Sequence, residues 1–439
     1  MKDQREFAGW KLWGATIATI AMLGAGSARA QTPAAAAPPA ATPPPPPPPM
    51  AAPPPPPPPM APPPPMMAPP PVPATPPSAV ESEAKPPTAT ETMAATRPDV
   101  LPPIDVGAWT RVGSVFQGQD KSKINDWHVD NAYVELHAGG KVTKKVGVTL
   151  NLNANMLDFS SAGASAVDIL DAIISFDFVD EFHLWAGHLL VPVDRSNASG
   201  PFFMIPWNYP GFFAQPGAPK EGPSGRNNGM VLWGDIAGGK VTYLAGVFDN
   251  ANIGTSPLFS GRVRVALLDP EPGFWGNGSY FGDKDLLSIN VGGQAQAHGS
   301  SVAATATVPG VDKTYAEVNA DVLFEKKIPG GGWGTFEGAY YHYNVSDLGI
   351  SDSLYLLGAY ATPTIGVGNI QPMVRYQWEK VKSGTGTNPW NLDVGLSYLI
   401  KGPALRVLAT YGHTRLGTDA AGDALTANSI QIGAQAIFF

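Results

Sequence analysis

Gln431-Ile432-Gly433-Ala434-Gln435-Ala436-Ile437-Phe438-Phe439 ends the chain. Apolar and polar residues alternate along it, which is the period of a strand with one greasy face and one wet face. It stops on a free aromatic pair. A strand closing a lipid-embedded barrel puts its end in the interfacial belt where aromatic rings sit. The stretch therefore predicts an all-β fold, a transmembrane antiparallel β-barrel of the bacterial outer membrane, and obliges the preceding residues to supply the other strands.

They do so from about Val106 onward. Val146, Val148, Leu150, Leu152 and Ala154 alternate with Gly147, Thr149, Asn151, Asn153 and Asn155; Leu287, Ile289 and Val291 alternate with Ser288, Asn290 and Gly292. Ala316 to Val322 and Leu392 to Tyr398 repeat the pattern. Sixteen such segments can be placed, near 106–118, 127–138, 142–155, 168–178, 181–190, 228–237, 240–249, 259–268, 285–298, 314–326, 333–344, 352–362, 367–380, 390–401, 403–414 and 427–439. An even number puts both ends of the barrel on one side, and connections should alternate short and long. Gly139-Gly140, Ala237-Gly238-Gly239 and Gly402 mark the expected short periplasmic turns. Asp269 to Lys284 breaks the alternation, being long on the periplasmic side, and points to a misplaced strand boundary.

The longest connection runs from about Val191 to Asn227 and includes Phe202, Phe203, Trp207, Tyr209, Phe212 and Phe213. A loop this apolar is too greasy to stand in water. Its expected place is inside the barrel as a constriction, with packing over the mouth or against a neighbouring subunit as the alternative.

Ahead of the barrel, residues 1–30 carry Lys2, Arg5 and Lys11, an apolar run from Leu12 to Leu23, and Ala28-Arg29-Ala30, the form of a secretory signal peptide cut before Gln31. Residues 31–100 are Pro- and Ala-rich, with proline runs at Pro43–Pro49 and Pro53–Pro59. Such a segment builds no core and is expected to be disordered, with polyproline II stretches of about 3.1 Å per residue. It reads either as a periplasmic spacer reaching peptidoglycan or as an unstructured leader. The barrel then occupies 101–439. With no cysteine, neither a lipid anchor on a thiol nor a disulfide framework is possible. Loss of the leader removes Lys2, Arg5, Lys11 and Arg29 with Asp3 and Glu6, and moves the formal charge from −8 to −10, which argues against a nucleic-acid partner.

Several stretches resemble the phosphate-selective porins O and P: Asp130-Asn131-Ala132-Tyr133-Val134-Glu135-Leu136, Trp185-Ala186-Gly187-His188-Leu189-Leu190-Val191-Pro192-Val193-Asp194-Arg195-Ser196, Phe336-Glu337-Gly338-Ala339-Tyr340-Tyr341-His342, Ile370-Gln371-Pro372-Met373-Val374-Arg375-Tyr376 and Asp393-Val394-Gly395-Leu396-Ser397-Tyr398-Leu399-Ile400-Lys401-Gly402. Together they span the barrel region. The resemblance implies a sixteen-stranded, trimeric porin with an inward third loop and a basic lumen that passes anions. The acidity of this chain and its few barrel lysines depart from that pattern.

Candidate selectivity residues follow from strand phase. Arg262 and Arg264 oppose Val263 and Val265; Arg375 opposes Val374 and Tyr376; Arg406 opposes Leu405 and Val407. A charge on the lipid face costs roughly 2–4 kcal/mol at the midplane, so these four arginines are expected to line the pore and attract anions. The competing reading makes each an ion-paired wall residue facing a carboxylate such as Asp321, Glu337, Asp393 or Glu379. The seven histidines show no metal-ligand spacing, since His183 and His188 fall on opposite faces. An outer-membrane hydrolase would need a serine and histidine converging on a strand wall; His298 and Ser300 are the nearest candidates. The expected function is passive diffusion of small hydrophilic solutes across the outer membrane, without cofactor or metal. A structural alternative is an envelope-anchoring barrel whose Pro-rich arm engages peptidoglycan. Outer-membrane lipid, and the barrel-assembly machinery acting on the last strand, are the expected partners.

Overall fold

The computed structural model describes residues 104–119, 126–155, 167–210, 225–249, 256–302, 311–344, 350–381, 388–418 and 423–438. The leader, the Pro-rich segment, Phe212, Phe213 and Phe439 lie outside these residues.

Period-two alternation becomes sixteen strands: β1 (Ile104–Gln119), β2 (Asp126–Lys141), β3 (Val146–Asn155), β4 (Val167–Val179), β5 (Phe182–Leu190), β6 (Arg226–Ile236), β7 (Val241–Phe248), β8 (Leu258–Ala266), β9 (Leu286–Val302), β10 (Val311–Lys327), β11 (Trp333–Tyr343), β12 (Ile350–Ala361), β13 (Asn369–Val381), β14 (Trp390–Leu399), β15 (Leu405–Thr418) and β16 (Ala424–Phe438). Each pairs antiparallel with its neighbours in sequence, and β1 pairs with β16 to close the barrel. The seam runs from Ala108↔Phe438 to Gln119↔Ala427. Closure leaves no edge, so the ladder satisfies the backbone without water. The rim that carries Ile104 and Phe438 is called the terminal rim below.

Strand phase sorts the side chains as the alternation predicts. Val148 and Leu150 face out while Thr149 and Asn151 face in; on β9, Val291 is 61% exposed and Asn290 is buried. Phe438 stands on the outer face at 63% exposure. In water an apolar band of this extent would drive association, whereas lipid solvates it.

Two expectations about turns need correction. Gly139 and Gly140 do not turn the chain; they lie within β2, paired with Thr149 and Val148. The turn follows at 142–145, where the Thr143 hydroxyl accepts from the backbone N–H of Lys145 (3.2 Å) and Val146 (3.0 Å). A threonine side chain thus does what glycine was expected to do. At Ala237-Gly238-Gly239 the left-handed φ values of 53°, 64° and 83° make the expected tight turn. The long connection after β8 involves no misplaced boundary either. β8 ends at Ala266 and β9 starts at Leu286, close to the predicted bounds, and the chain between them folds into the lumen.

A charged side chain in the outer band should block assembly. Val291→Arg is expected to cost about 2–4 kcal/mol near the bilayer midplane and to leave little heat-modifiable barrel in membranes. The inward change Asn153→Gln should leave the heat-modifiable form at its normal level, and equal yields of the two variants would contradict the assigned strand phase.

The filled lumen as candidate functional site

Two connections enter the barrel from opposite rims and meet. Loop L3, 191–225, joins β5 to β6; turn T4, 267–285, joins β8 to β9 on the terminal rim. L3 opens with a short helix, α1 (Arg195–Ser199), capped by Asp194, whose Oδ1 accepts from the N–H of Asn197 at 3.0 Å. The other oxygen of Asp194 accepts from the Tyr341 hydroxyl at 2.6 Å, which ties the cap to the wall of β11.

Arg195 and Glu271 make the junction. Both are fully buried, and the guanidinium donates to the carboxylate through two nitrogens, at 2.7 and 2.8 Å. Arg195 also donates from Nε to Asp321 Oδ1 on β10 (3.2 Å) and from Nη2 to the Ser288 hydroxyl on β9 (2.8 Å). Burial alone would push the Glu271 carboxyl up, but the Arg195 guanidinium outweighs it and holds the group well below the usual carboxylate range. A carboxyl depressed in this way stabilises the fold above its ordinary pKa and loses that contribution as pH falls through the lowered value. The junction is therefore intact at neutral pH and weakens only in strong acid.

T4 is held by arginine and by rings. Arg264 donates to the carbonyls of Glu271 (2.6 Å), Gly273 (2.5 Å) and Trp275 (3.0 Å). Phe274 stacks on Trp185 of β5 with centroids 4.7 Å apart and meets Trp233 of β6 edge-on. Near the far end of T4, Glu325 of β10 accepts from the Ser279 hydroxyl (2.7 Å) and the Gly282 N–H (2.8 Å). The tip of L3 crosses to the seam. Gln435 donates to Phe202 O (2.9 Å), Arg406 to Ile205 O (3.1 Å), Arg111 to Trp207 O (2.6 Å) and Arg375 to Asn208 O (2.6 Å).

All four arginines expected to line the pore point inward, and all four are buried. Arg262 donates to Asp194 O (3.1 Å) and Asn290 Oδ1 (2.9 Å) and lies 4.0 Å from Asp321. Arg375 pairs with Asp393 at 2.8 Å, as the wall-residue reading supposes. Arg264 is occupied chiefly by T4 carbonyls, and Arg406 by the Ile205 carbonyl and the Gln435 side chain. The arrangement secures loops and leaves these guanidiniums little contact with solvent. Of the expected constriction residues, Phe202 and Trp207 are buried and Phe203 and Tyr209 half-buried within the lumen. His183 faces in, stacked on Trp233 at 3.9 Å, while His188 contacts Asn228 on the outer face. His298 is exposed near the end of β9, and the side chain of Ser300 lies outside the described residues. Among the described residues no group of three His, Cys, Asp or Glu could hold a metal.

Residue phase did not single out Arg195, Glu271 or Arg111. Arg195 sits in a quoted stretch of the porin resemblance. The sole signal for Glu271 was the anomalous length of its connection, in which Pro270 and Pro272 flank it.

Comparison with solved structures finds similarity across 76% of the chain to an anion-selective porin from Comamonas acidovorans, with 12% identity, 99% of that chain covered and a TM-score of 0.50. The fold is that of a porin. Pseudomonas putida OprB matches over the same 76% with 9% identity, 94% of its own chain and a TM-score of 0.54. Salmonella typhi OmpF, in a complex with daunomycin, matches with 11% identity, 97% of its chain and a TM-score of 0.50. No family model matches the chain, and no curated protein does.

Removing one partner of a buried ion pair costs up to about 3–5 kcal/mol when the other is left alone, and less here because Arg195 keeps Asp321. Glu271→Gln is thus expected to free L3 and T4 while the ladder persists: protease should cut within 191–225 and 267–285 much faster than in the parent, with heat-modifiable mobility retained. Unchanged cleavage would show that the junction does not hold the loops.

Proposed function

We propose that the chain is an outer-membrane porin through which small hydrophilic solutes diffuse. A closed sixteen-stranded barrel, apolar outside and polar inside, carries this reading. Barrels of sixteen to eighteen strands are wide enough to leave an aqueous channel, and the loops L3 and T4 take up part of that width. The purified barrel should give stepwise ion conductance in a planar bilayer. A folded barrel that gives none would favour the second reading, an envelope anchor.

The finer parts of the reading rest on the resemblance. A preference for anions, and for phosphate among them, would come from Arg262, Arg264, Arg375 and Arg406. Their bonds to loop carbonyls and to Asp393 favour a holding role over a selecting one. Changing both Arg262 and Arg264 to Gln separates the two roles, since a selecting pair loses anion preference without change in loop protection, and a holding pair loses loop protection first. Residues 1–30 are proposed as the signal peptide and 31–100 as an arm toward peptidoglycan. The last strand is proposed to engage the barrel-assembly machinery, and the functional unit to be a homotrimer. Deleting Pro33 to Thr96 should leave conductance unchanged, because polyproline II makes no internal hydrogen bonds and contributes none to the barrel. Failure of that deletion to fold would make the arm part of the barrel's own structure.

A further inference from the structure

L3 and T4 fill the lumen unevenly. On the inner face of β8 to β14 the mid-strand side chains are buried: Ser288, Asp321, Glu337, Tyr355, Arg375 and Ser397 are all at most 5% exposed. The inner face of β1 to β4 is buried at Arg111, Glu135, Asn151, Asp171 and Ile173 but open at other inward positions. Thr149, Asn153 and Ser175 are partly exposed, and the His137 side chain is 20% exposed. The registers place Asp105, Gly139, Thr149, Ile173 and Gly187 in one inward row across five strands. Gly139, on one side of Thr149, carries no side chain and opens the space beside it. A Cβ at Gly139 would meet nothing nearer than Val148 O at 3.5 Å, an ordinary contact, so the row is open at β2 and β3, while Ile173 is buried and Gly187 is closely packed against β4.

The charge on this side is also different. The inward acids here include Asp105, Glu135, Asp171 and Asp177, whereas the inward fixed bases of β1 to β4 are Arg111 and Lys141 among the described side chains. Lys141 pairs with Asp177, and Asp171 takes Arg226 of β6 at 3.2 Å. Arg111 donates to the Trp207 carbonyl and lies over the Trp207 ring, 3.8 Å from its centroid. In a narrow lumen the fixed charges beside the path govern which ions pass.

We propose that solutes cross along the β1–β4 side of the lumen, and that the acidic excess of that side makes the channel prefer cations over anions. The inference rests on the porin reading and departs from the anion preference that the resemblance implies. The residues that set ion preference are the solvent-accessible Asp105 and Asp177, and not the buried arginines of β8, β13 and β15.

The absence of cysteine gives a clean background for the test. Ser175→Cys and Ser397→Cys place a thiol on the inner face of β4 and β14. Each variant is treated, purified and folded in detergent, with a membrane-impermeant cationic methanethiosulfonate reagent. The Ser175→Cys thiol should react at least about tenfold faster, following its exposure, and modification should reduce single-channel current. Faster reaction at Ser397→Cys would put the path on the opposite wall and overturn the proposal. Gly139→Leu provides a second measure and should lower conductance without loss of heat-modifiable mobility; unaltered conductance counts against the path. For charge, the reversal potential of the unmodified protein in a potassium chloride gradient should carry the cation sign, and Asp105→Asn with Asp177→Asn should shift it toward anions. An anion sign in the unmodified protein overturns the charge assignment. A protein that conducts nothing ends the porin reading itself, while thiol reactivity in detergent still locates the water-filled side.

Discussion

A guanidinium that water cannot reach must be met by oxygen, and Arg195 is such a group at the centre of this barrel. Its position on L3 requires an acceptor that the wall only partly supplies through Asp321 and Ser288. Glu271 and the Asn277 carbonyl supply the rest, and they can do so only because T4 is long enough to climb from the terminal rim. A partner that arrives from the other end of the lumen fixes both loops at once. The cost of desolvating either charge alone, several kcal/mol, makes the pair an all-or-none junction. The ring contacts of Phe274 and the carbonyl bonds of Arg264 then follow from where that junction places T4.

The wall itself was legible in the sequence to within a few residues. Strands such as β3 and β14 declare themselves because each residue must choose between lipid and lumen, and Val-Gly-Val-Thr-Leu-Asn-Leu-Asn records that choice without reference to distant parts of the chain. The same logic put Arg262, Arg264, Arg375 and Arg406 on the inner face. What lies next to an inward arginine is another matter. It depends on loops that carry no periodicity, and the carbonyls that occupy Arg264 and Arg406 leave no trace in residue identity.

Gly139-Gly140 and the 269–284 connection were misread for a related reason. A glycine pair suggests a turn when only local conformation is weighed, but here an empty inward position beside Thr149 serves the lumen. A connection too long for its rim suggests an error in strand placement if every connection is taken to be a mere link between strands. Length was the visible sign that T4 is a structural element in its own right, and nothing in Asp269-Pro270-Glu271-Pro272 names Arg195 as its target.

The carbonyls of Phe202, Ile205 and Trp207 are taken by Gln435, Arg406 and Arg111, which belong to β16, β15 and β1. These are the strands on either side of the seam. The first and last strands of the barrel, far apart in the chain, are thus bridged in the folded molecule by one loop from its middle. L3 can act as a jig for its own enclosure, offering the final hairpin a set of acceptors at the correct height and penalising a register slip, which would turn Gln435 outward and leave those acceptors bare. Narrowing the lumen and ordering the closure would then be two consequences of the same bonds. Alanine at Gln435 should slow the appearance of heat-modifiable barrel during refolding, and an unchanged rate would limit L3 to its role in the finished molecule.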